Sequence, residues 1–371
     1  MNKKIYQICK RCVMDTSDED IIFDNNGYCN HCTDFLKLLE NHKYVEGQSE
    51  KKFKDILLKI KERGKNKKYD CLVGISGGID SCFVAHLCKV YNLRPLLMHL
   101  NNGWNTPIAE ENIQIMVKKL GFDYYEYKMD WQEFKEIQLA FFKSSIVDLE
   151  IPTDLAILGA NYEIAKKFKI PSILSGGNFA AEGILPLTWG YHVLKDLKIY
   201  KHIIKKYSDV KIKTVPIVGL RKEIYYKFFK RIKYLYPLNY IDYNKDEARE
   251  FLKIEFDWQD YGGKHHESRI TGFWQSYVMP VKYNMDYRRA TLSSQIVSGQ
   301  ITRNKALQIL ENLPYNPEKI EIEKNYIAKK YGISRQELDK YLNLPPKTYK
   351  NFPNQKKLIM MMYDLYRSII K

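Results

Sequence analysis

No cysteine follows Cys88, so the last three quarters of the chain can form no disulfide and supply no thiol nucleophile. All 7 cysteines lie in the first quarter, which is not the pattern of a secreted disulfide scaffold. No run approaches the ~20 apolar residues needed to cross a bilayer. The start, Met1 to Cys9, has no apolar signal-peptide core, and we expect a cytoplasmic protein with no membrane partner. Collagen-like and low-complexity segments are also missing. With 45% hydrophobic and 13% aromatic residues in 371, the composition is that of a folded chain with room for two or three domains. The net charge of +16 invites a nucleic-acid reading. The lysines, however, fall in runs such as Lys59 to Lys68 and Lys201 to Lys206 that suit a solvated surface, so nucleic acid is not the expected partner. A positive field also serves an enzyme with anionic substrates.

A second absence is local. Between Tyr69 and Lys89 there is no lysine, although Cys71 to Ile75 reads as a short strand, Ser76-Gly-Gly-Ile-Asp-Ser81 as a loop, and Cys82 to Val90 as a helix. Strand, glycine loop and helix make a phosphate cradle. Gly77 and Gly78 let the main chain approach an anion, and the helix start supplies free N–H groups. A Walker A loop would need Gly-Lys-Ser/Thr to reach the β- and γ-phosphates, so this loop suits a different break in ATP. Its six residues resemble the PP-loop of the ATP pyrophosphatase group, which includes asparagine synthetases, GMP synthetases and tRNA thiolases.

Cys9-Lys-Arg-Cys12 and Cys29-Asn-His-Cys32, with the Asp24-Asn-Asn-Gly27 turn between them, have the spacing of a four-thiolate zinc site. Four thiolates complete the sphere and leave no open position, so the metal is expected to be structural and His31 to lie outside it. Cys82 and Cys88 cannot complete a four-cysteine iron–sulfur site. They are expected in the core of their helix.

Along the chain the expected organisation is a zinc module over 1–35, a connecting helix over 36–68, a nucleotide domain over 69–256, and a substrate-facing, helical region over 257–371. From 70 onward strands and helices alternate: Arg94 to Leu100, helix Ala109 to Leu120, Asp123 to Lys128, a helix around Phe134 to Phe142, helix Asp154 to Phe168, then Ser172 to Ser175. The alternation predicts an α/β fold with a doubly wound parallel sheet. A second glycine loop, Gly176-Gly-Asn178, follows the last of these strands, and both loops would lie at the carboxyl edge where such sheets bind ligands.

Tyr261-Gly-Gly-Lys-His-His-Glu-Ser-Arg269 packs a glycine turn with lysine, two histidines, glutamate and arginine. If it faces that edge, Lys264 and Arg269 could stabilise charge on departing pyrophosphate. His265, His266 or Glu267 could move a proton. The residues leave open which of them acts. Arg288 and Arg289 form a further basic pair, equally suited to a surface contact.

Together, Cys9 to Asp15, Asn30 to Cys32, Ser76 to Ser81, Pro152-Thr-Asp154, Ser175 to Asn178, Tyr261 to Arg269, Arg288 to Ala290, Ser298-Gly299 and Leu344 to Lys347 resemble the N-acetyl sugar amidotransferase family of bacterial surface-polysaccharide and nonulosonate pathways. The resemblance runs nearly end to end. It implies an adenine nucleotide alpha-hydrolase-like fold and conversion of a sugar acetamido group to acetamidino, with the amide oxygen adenylated by ATP and AMP then displaced by ammonia. It further implies that Ser76, Gly77, Gly78 and Ser81 hold the pyrophosphate portion and that Asp80 orients Mg²⁺. The strand Leu96 to Leu100, with His99, would flank adenine, while Gly176, Gly177 and Asn178 close the far side. The implied partners are an acetamido sugar or nucleotide sugar and, since no glutaminase signature is present, a separate class I glutaminase subunit resembling those of imidazole glycerol phosphate synthase. The alternative is a tRNA-thiolating PP-loop enzyme. The zinc module and basic charge favour it, and the missing cysteines oppose it.

Overall fold

The computed structural model describes residues 5–42, 47–190, 195–262 and 266–370. Its centre is a five-stranded sheet, β1 (Cys71–Gly74), β2 (Pro95–Asn101), β3 (Asp123–Lys128), β4 (Ser172–Leu174) and β5 (Lys233–Leu235). All pairs are parallel, in the order β3-β2-β1-β4-β5. The register sets Leu72 between Leu96 of β2 and Ile173 of β4. The order reverses direction beside β1, which opens a crevice at the carboxyl ends of β1 and β4.

Successive residues of the central strands point to opposite faces, and both faces are covered. Leu72, Leu96, Met98 and Ile173 enter one apolar cluster with residues of the helices Trp131–Ser144, Ile151–Lys167 and Leu197–Tyr207. Cys71, Val73, Leu97 and Leu174 enter a second, with residues of Gln48–Gly64, Ile79–Val90, Pro107–Leu120 and Lys245–Phe256. Strands buried on both sides read as unbroken apolar runs, which is why β1 and β2 are legible in the sequence. The sheet is therefore doubly wound, as the alternation predicts. β5 was not foreseen, because Lys233–Leu235 is a three-residue edge strand with no apolar run of its own.

Cys82 and Cys88 are buried in the helix core. The stretch 36–68 does not form one connecting helix: it holds the end of Asn30–His42 and the whole of Gln48–Gly64, which begins after Gly47 at φ +76°. The cysteine segment packs against the C-terminal helices. Val13 clusters with Leu292 and Ala306, and its N–H donates to Ser293 Oγ at 3.1 Å. Arg289 meets Asp15 at 3.0 Å and donates to the Val13 carbonyl at 2.7 Å. Among the described residues no helix is long and apolar enough to cross a membrane.

Candidate functional site

β1 runs through Ile75 into the Ser76–Ser81 loop, whose hydroxyls hold its shape. Ser76 N–H donates to Ser81 Oγ (3.1 Å), Gly78 N–H to Ser76 Oγ (3.3 Å) and Ser81 Oγ to the Gly78 carbonyl (3.1 Å). Gly77 stands at φ +81°, and a Cβ there would lie 2.4 Å from the Ala109 carbonyl oxygen. Only glycine fits. Its own carbonyl is fixed from the far side by Trp258 Nε1–H at 2.8 Å. The helix Ile79–Val90 begins at Gly78 with no side chain capping it. The Ile79 N–H donates to the Tyr261 hydroxyl, and the N–H groups that follow it in the first turn could serve an anion.

Asp80, on the first turn, is held from three sides: the Tyr243 hydroxyl donates to Oδ1 at 2.6 Å, Asn178 Nδ2 to Oδ1 at 3.2 Å, and Lys245 Nζ to Oδ2 at 3.1 Å. Burial pulls the Lys245 ammonium down and the Asp80 carboxylate beside it outweighs this, so its pKa is raised and it stays charged. Burial, reinforced by Asp80, holds the Tyr243 phenol protonated. The loop has no lysine of its own, and the fold brings Lys245 to it from 165 residues away. No sequence signal marks this lysine among so many.

The second glycine loop closes against the first. A Cβ on Gly176 would lie 2.8 Å from the Asp80 carbonyl carbon, and one on Gly177 would lie 3.3 Å from the Tyr236 ring. Asn178 donates to Asp80 and accepts from Ala181 N–H at 3.0 Å, so it ties the two loops together. His99, on β2, donates from Nδ1 to the Ile75 carbonyl (2.9 Å) and accepts at Nε2 from Asn105 Nδ2 (2.7 Å). Burial lowers its pKa against the opposing pull of the Ile75 hydrogen bond. It is a neutral ring.

A cavity of about 440 Å³ opens from Gly74, Ile75 and Ser76 at the carboxyl ends of β1, β2 and β4. Its far walls come from the segments 147–161, 182–190 and 267–287, the last including a π-helical turn, Trp274–Val278, that places Trp274 and Gln275 on the lining. Glu267 lines it, and its Oε1 would lie 3.6 Å from a Cβ on Gly78, beside the phosphate loop. Asp148, Glu150, Asp154 and Glu182 line it too, and among the described residues no lysine or arginine does. Burial, then the Asp154 charge, pushes Glu150 up to about 8. The same causes raise Asp148 well above the usual carboxylate range. Local sequence contains none of this convergence.

Lys264 and His265 lie outside the described residues. His266 turns away to Ser276 Oγ, 2.9 Å from its Nε2. Arg269, expected at pyrophosphate, instead forms a two-pronged pair with Glu323 (2.8 and 2.9 Å) and sits 3.5 Å over the centre of the Tyr326 ring. A carboxylate fork and a ring face together occupy a guanidinium fully. It anchors the C-terminal helix Pro317–Tyr331. Arg288 is likewise committed, to Asp286 at 2.6 Å.

The sulfurs of Cys9, Cys12, Cys29 and Cys32 all lie within 4.8 Å of one another and all four residues are buried. Cys9 and Cys32 sulfurs are 3.7 Å apart, and those of Cys12 and Cys29 3.6 Å. A tetrahedral ion with Zn–S of about 2.3 Å sets sulfurs roughly 3.7 Å apart, so the donor set fits such a metal. Backbone N–H groups of Arg11 and Cys12 point to Cys9 Sγ, each at 3.4 Å. Arg303 braces the knuckle from outside through the carbonyls of Cys9 and Cys12 (3.0 Å each). His31 does not join the four sulfurs; its Nε2 is 2.5 Å from Asp18, whose other oxygen accepts from Thr188 Oγ1.

Residues 267–367 match the family model described as LPS biosynthesis protein WbpG-like, C-terminal domain. No curated protein matches the chain. Among solved structures, an NMN synthetase from Francisella tularensis is 15% identical over 76% of this chain and 96% of its own, with a TM-score of 0.37. An NH3-dependent NAD synthetase from Campylobacter jejuni is 16% identical over 77% of this chain and 97% of its own, TM-score 0.32. A U34-tRNA thiolase from Methanococcus maripaludis is 15% identical over 83% and 90%, TM-score 0.33. Likeness of this degree bears on neither activity nor substrate.

Proposed function

We propose, from the match of residues 267–367 to the model of the WbpG-like LPS biosynthesis C-terminal domain, that the chain is an ATP-dependent amidotransferase that turns the acetamido group of a sugar into acetamidino. Lipopolysaccharide or another surface polysaccharide, nonulosonates included, would receive the product. The observation that carries this reading is the joining of a phosphate loop without its own lysine to a cavity of about 440 Å³ with several carboxylates in its wall, enough for a sugar.

An amide carbonyl is a poor electrophile. Attack of its oxygen on the α-phosphorus of ATP expels pyrophosphate and leaves the carbon bonded to a good leaving group. Ammonia then forms the new C–N bond, and the C–O bond breaks with its electron pair on AMP. The Ser76–Ser81 hydroxyls and N–H groups bind the leaving pyrophosphate, and Lys245 offsets its charge. Mg²⁺ would be held by Asp80, a hard oxygen donor, and would neutralise phosphate charge. His99 and Asn161 line the cavity and would flank the base, and Trp189 Nε1–H, buried in the wall without a partner among the described residues, would donate to a sugar oxygen. Cys9, Cys12, Cys29 and Cys32 would hold a zinc ion that keeps the N-terminal segment folded and has no open position for chemistry.

All seven cysteines are buried. No accessible thiol therefore serves sulfur transfer, or glutamine hydrolysis, and ammonia comes from a separate class I glutaminase subunit. The test is mass spectrometry of free and nucleotide-linked acetamido sugars after incubation with the protein, ATP, Mg²⁺ and ammonium. Replacement of the amide oxygen by NH, with AMP formed in equal amount, is expected. AMP formation that responds to tRNA and to no acetamido sugar would refute it.

A further inference from the structure

The cavity wall at 182–190 leans on the N-terminal cysteine module. Glu182, Leu185, Trp189 and Gly190 line the cavity from this segment, and Trp189 ends a 3-10 turn, Leu187–Trp189, in which its N–H donates to the Pro186 carbonyl at 3.0 Å. Thr188, one residue before, is fully buried and donates from Oγ1 to Asp18 Oδ1 at 2.5 Å, across 170 residues of chain. Asp18 is also fully buried, and its Oδ2 meets His31 Nε2, on the second knuckle, at 2.5 Å. The link runs from the knuckle to the residue beside Trp189. A second contact is steric. Gly183 has φ −77°, which alanine adopts without strain, yet a Cβ there would lie 2.0 Å from Phe35 Cε2. The Phe35 ring shares an apolar cluster with the four module cysteines. A third contact uses the helix Arg288–Val297, whose adjacent Ser293 and Ser294 accept from the module's Val13 N–H (3.1 Å) and the wall's Ile184 N–H (2.9 Å). The nucleotide end of the same segment is held separately, by Asn178 on Asp80 and by Phe179 N–H on Asn239 Oδ1 at 2.8 Å.

We propose that Asp18 and Phe35 are positioning residues for the sugar, which set where Trp189 Nε1–H stands in the cavity. The proposal rests on the amidotransferase reading and gives the cysteine module a part in substrate binding. Trp189 Nε1 is buried on the lining without a partner among the described residues, and a sugar oxygen would complete its hydrogen bond. Such a bond holds only over about 2.7–3.2 Å, so a wall displaced by on the order of 1 Å loses it. Close-packed interiors transmit a shift of that kind instead of absorbing it. Burying a carboxylate is costly, and an apolar contact would join module to wall without that cost. What the hydrogen-bonded carboxylate adds is a fixed distance and direction. Asp18 touches no ligand and acts through Thr188 and the turn it opens onto. Phe35 acts through the backbone of Gly183, where any larger residue would push the wall inward or the ring out.

The test compares the full-length protein with Thr188→Val, which keeps the volume and removes the hydroxyl, and Thr188→Ser, which keeps the hydroxyl. Backbone hydrogen exchange over 182–190 should rise in Thr188→Val and stay near the parent rate in Thr188→Ser, while zinc content and the Kd for ATP match the parent in both. Equal exchange in the parent and Thr188→Val overturns the positioning whether or not the protein is active. With an acetamido sugar that is turned over, Thr188→Val should raise the KM for that sugar about tenfold, as for a displaced contact, and Thr188→Ser should not. A lower melting temperature with that KM unchanged shows a structural role alone and overturns the proposal. Gly183→Ala probes the second contact independently of Thr188. It should raise the same KM, and adding Phe35→Leu, which removes the two ring atoms nearest the new methyl, should bring it back toward the parent value. A KM that Phe35→Leu does not restore removes Phe35 from the assignment. Raised exchange in a protein that amidates no sugar sinks the amidotransferase reading and leaves the hold of Asp18 on the wall standing.

Discussion

Replacing Glu150 with glutamine should make the protein more stable at alkaline pH, an unusual result for a substitution in an active-site wall. Glutamate ordinarily titrates near 4.5, and burial beside Asp154 pushes this one up to about 8. The raised value fixes the sign. Below about pH 4.5 the carboxyl is protonated in folded and unfolded chains alike, and its contribution is fully present. Between there and pH 8 the unfolded chain ionises while the folded one keeps its proton, so stability falls as pH rises, and above about 8 the loss is complete. At ~1.4 kcal/mol per unit the total approaches ~5 kcal/mol. Water in the open cavity screens the group and brings a realistic figure to about half of that. Glutamine has nothing to titrate. Urea unfolding of parent and variant at several values from about pH 5 to about pH 9 reads the difference directly. The gap should widen steadily in favour of the variant up to pH 8 and then level. Parallel curves over that range would mean that Glu150 is not held protonated by the fold, and the account of the acidic wall would fail with it.

Lys245→Met keeps the length of the side chain and removes the ammonium that meets Asp80 Oδ2. ATP affinity should fall at least tenfold, about 1.4 kcal/mol for one charge-assisted contact, while zinc content stays the same. An unaltered Kd measured by calorimetry would remove Lys245 from the phosphate site. Arg303→Ala deletes the brace on the Cys9 and Cys12 carbonyls. Its loss should cost about 1.5–3 kcal/mol, as for bonds to a charged group, and should speed removal of the metal by a chelator. Release at the parent rate, followed by a colorimetric zinc indicator, would show that the helix behind it plays no part in holding the knuckle.

The parts legible in the sequence are those in which neighbours in the chain make the feature. β1, the Ser76–Ser81 loop and the helix after it fall within twenty residues, so glycine conformation, serine hydroxyls and helix N–H groups all act locally. β3 lies where it was expected, at Asp123–Lys128. The two cysteine pairs are also local signals, since each pair spans a single knuckle and only the turn between them is needed to close the set. β5 escaped because three residues at a sheet edge carry no period. Arg269 was misplaced for a related reason: its neighbours Lys264 to Glu267 suggested a phosphate site, while Glu323 and Tyr326, which hold it, lie far along the chain.

The sequence alone thus settled that a phosphate cradle ends a buried strand of a doubly wound α/β sheet and that four thiols converge at the N-terminal end. Tertiary structure alone decided what surrounds that cradle. Lys245 reaches Asp80 because the helix Lys245–Phe256 packs on the same sheet face as Ile79–Val90. The acidic wall exists because the segment 148–154 and the turn at 267–271 meet across the cavity. Charges tens of residues apart interact only when folding removes the water between them, and no period or motif in the chain records which pairs those will be.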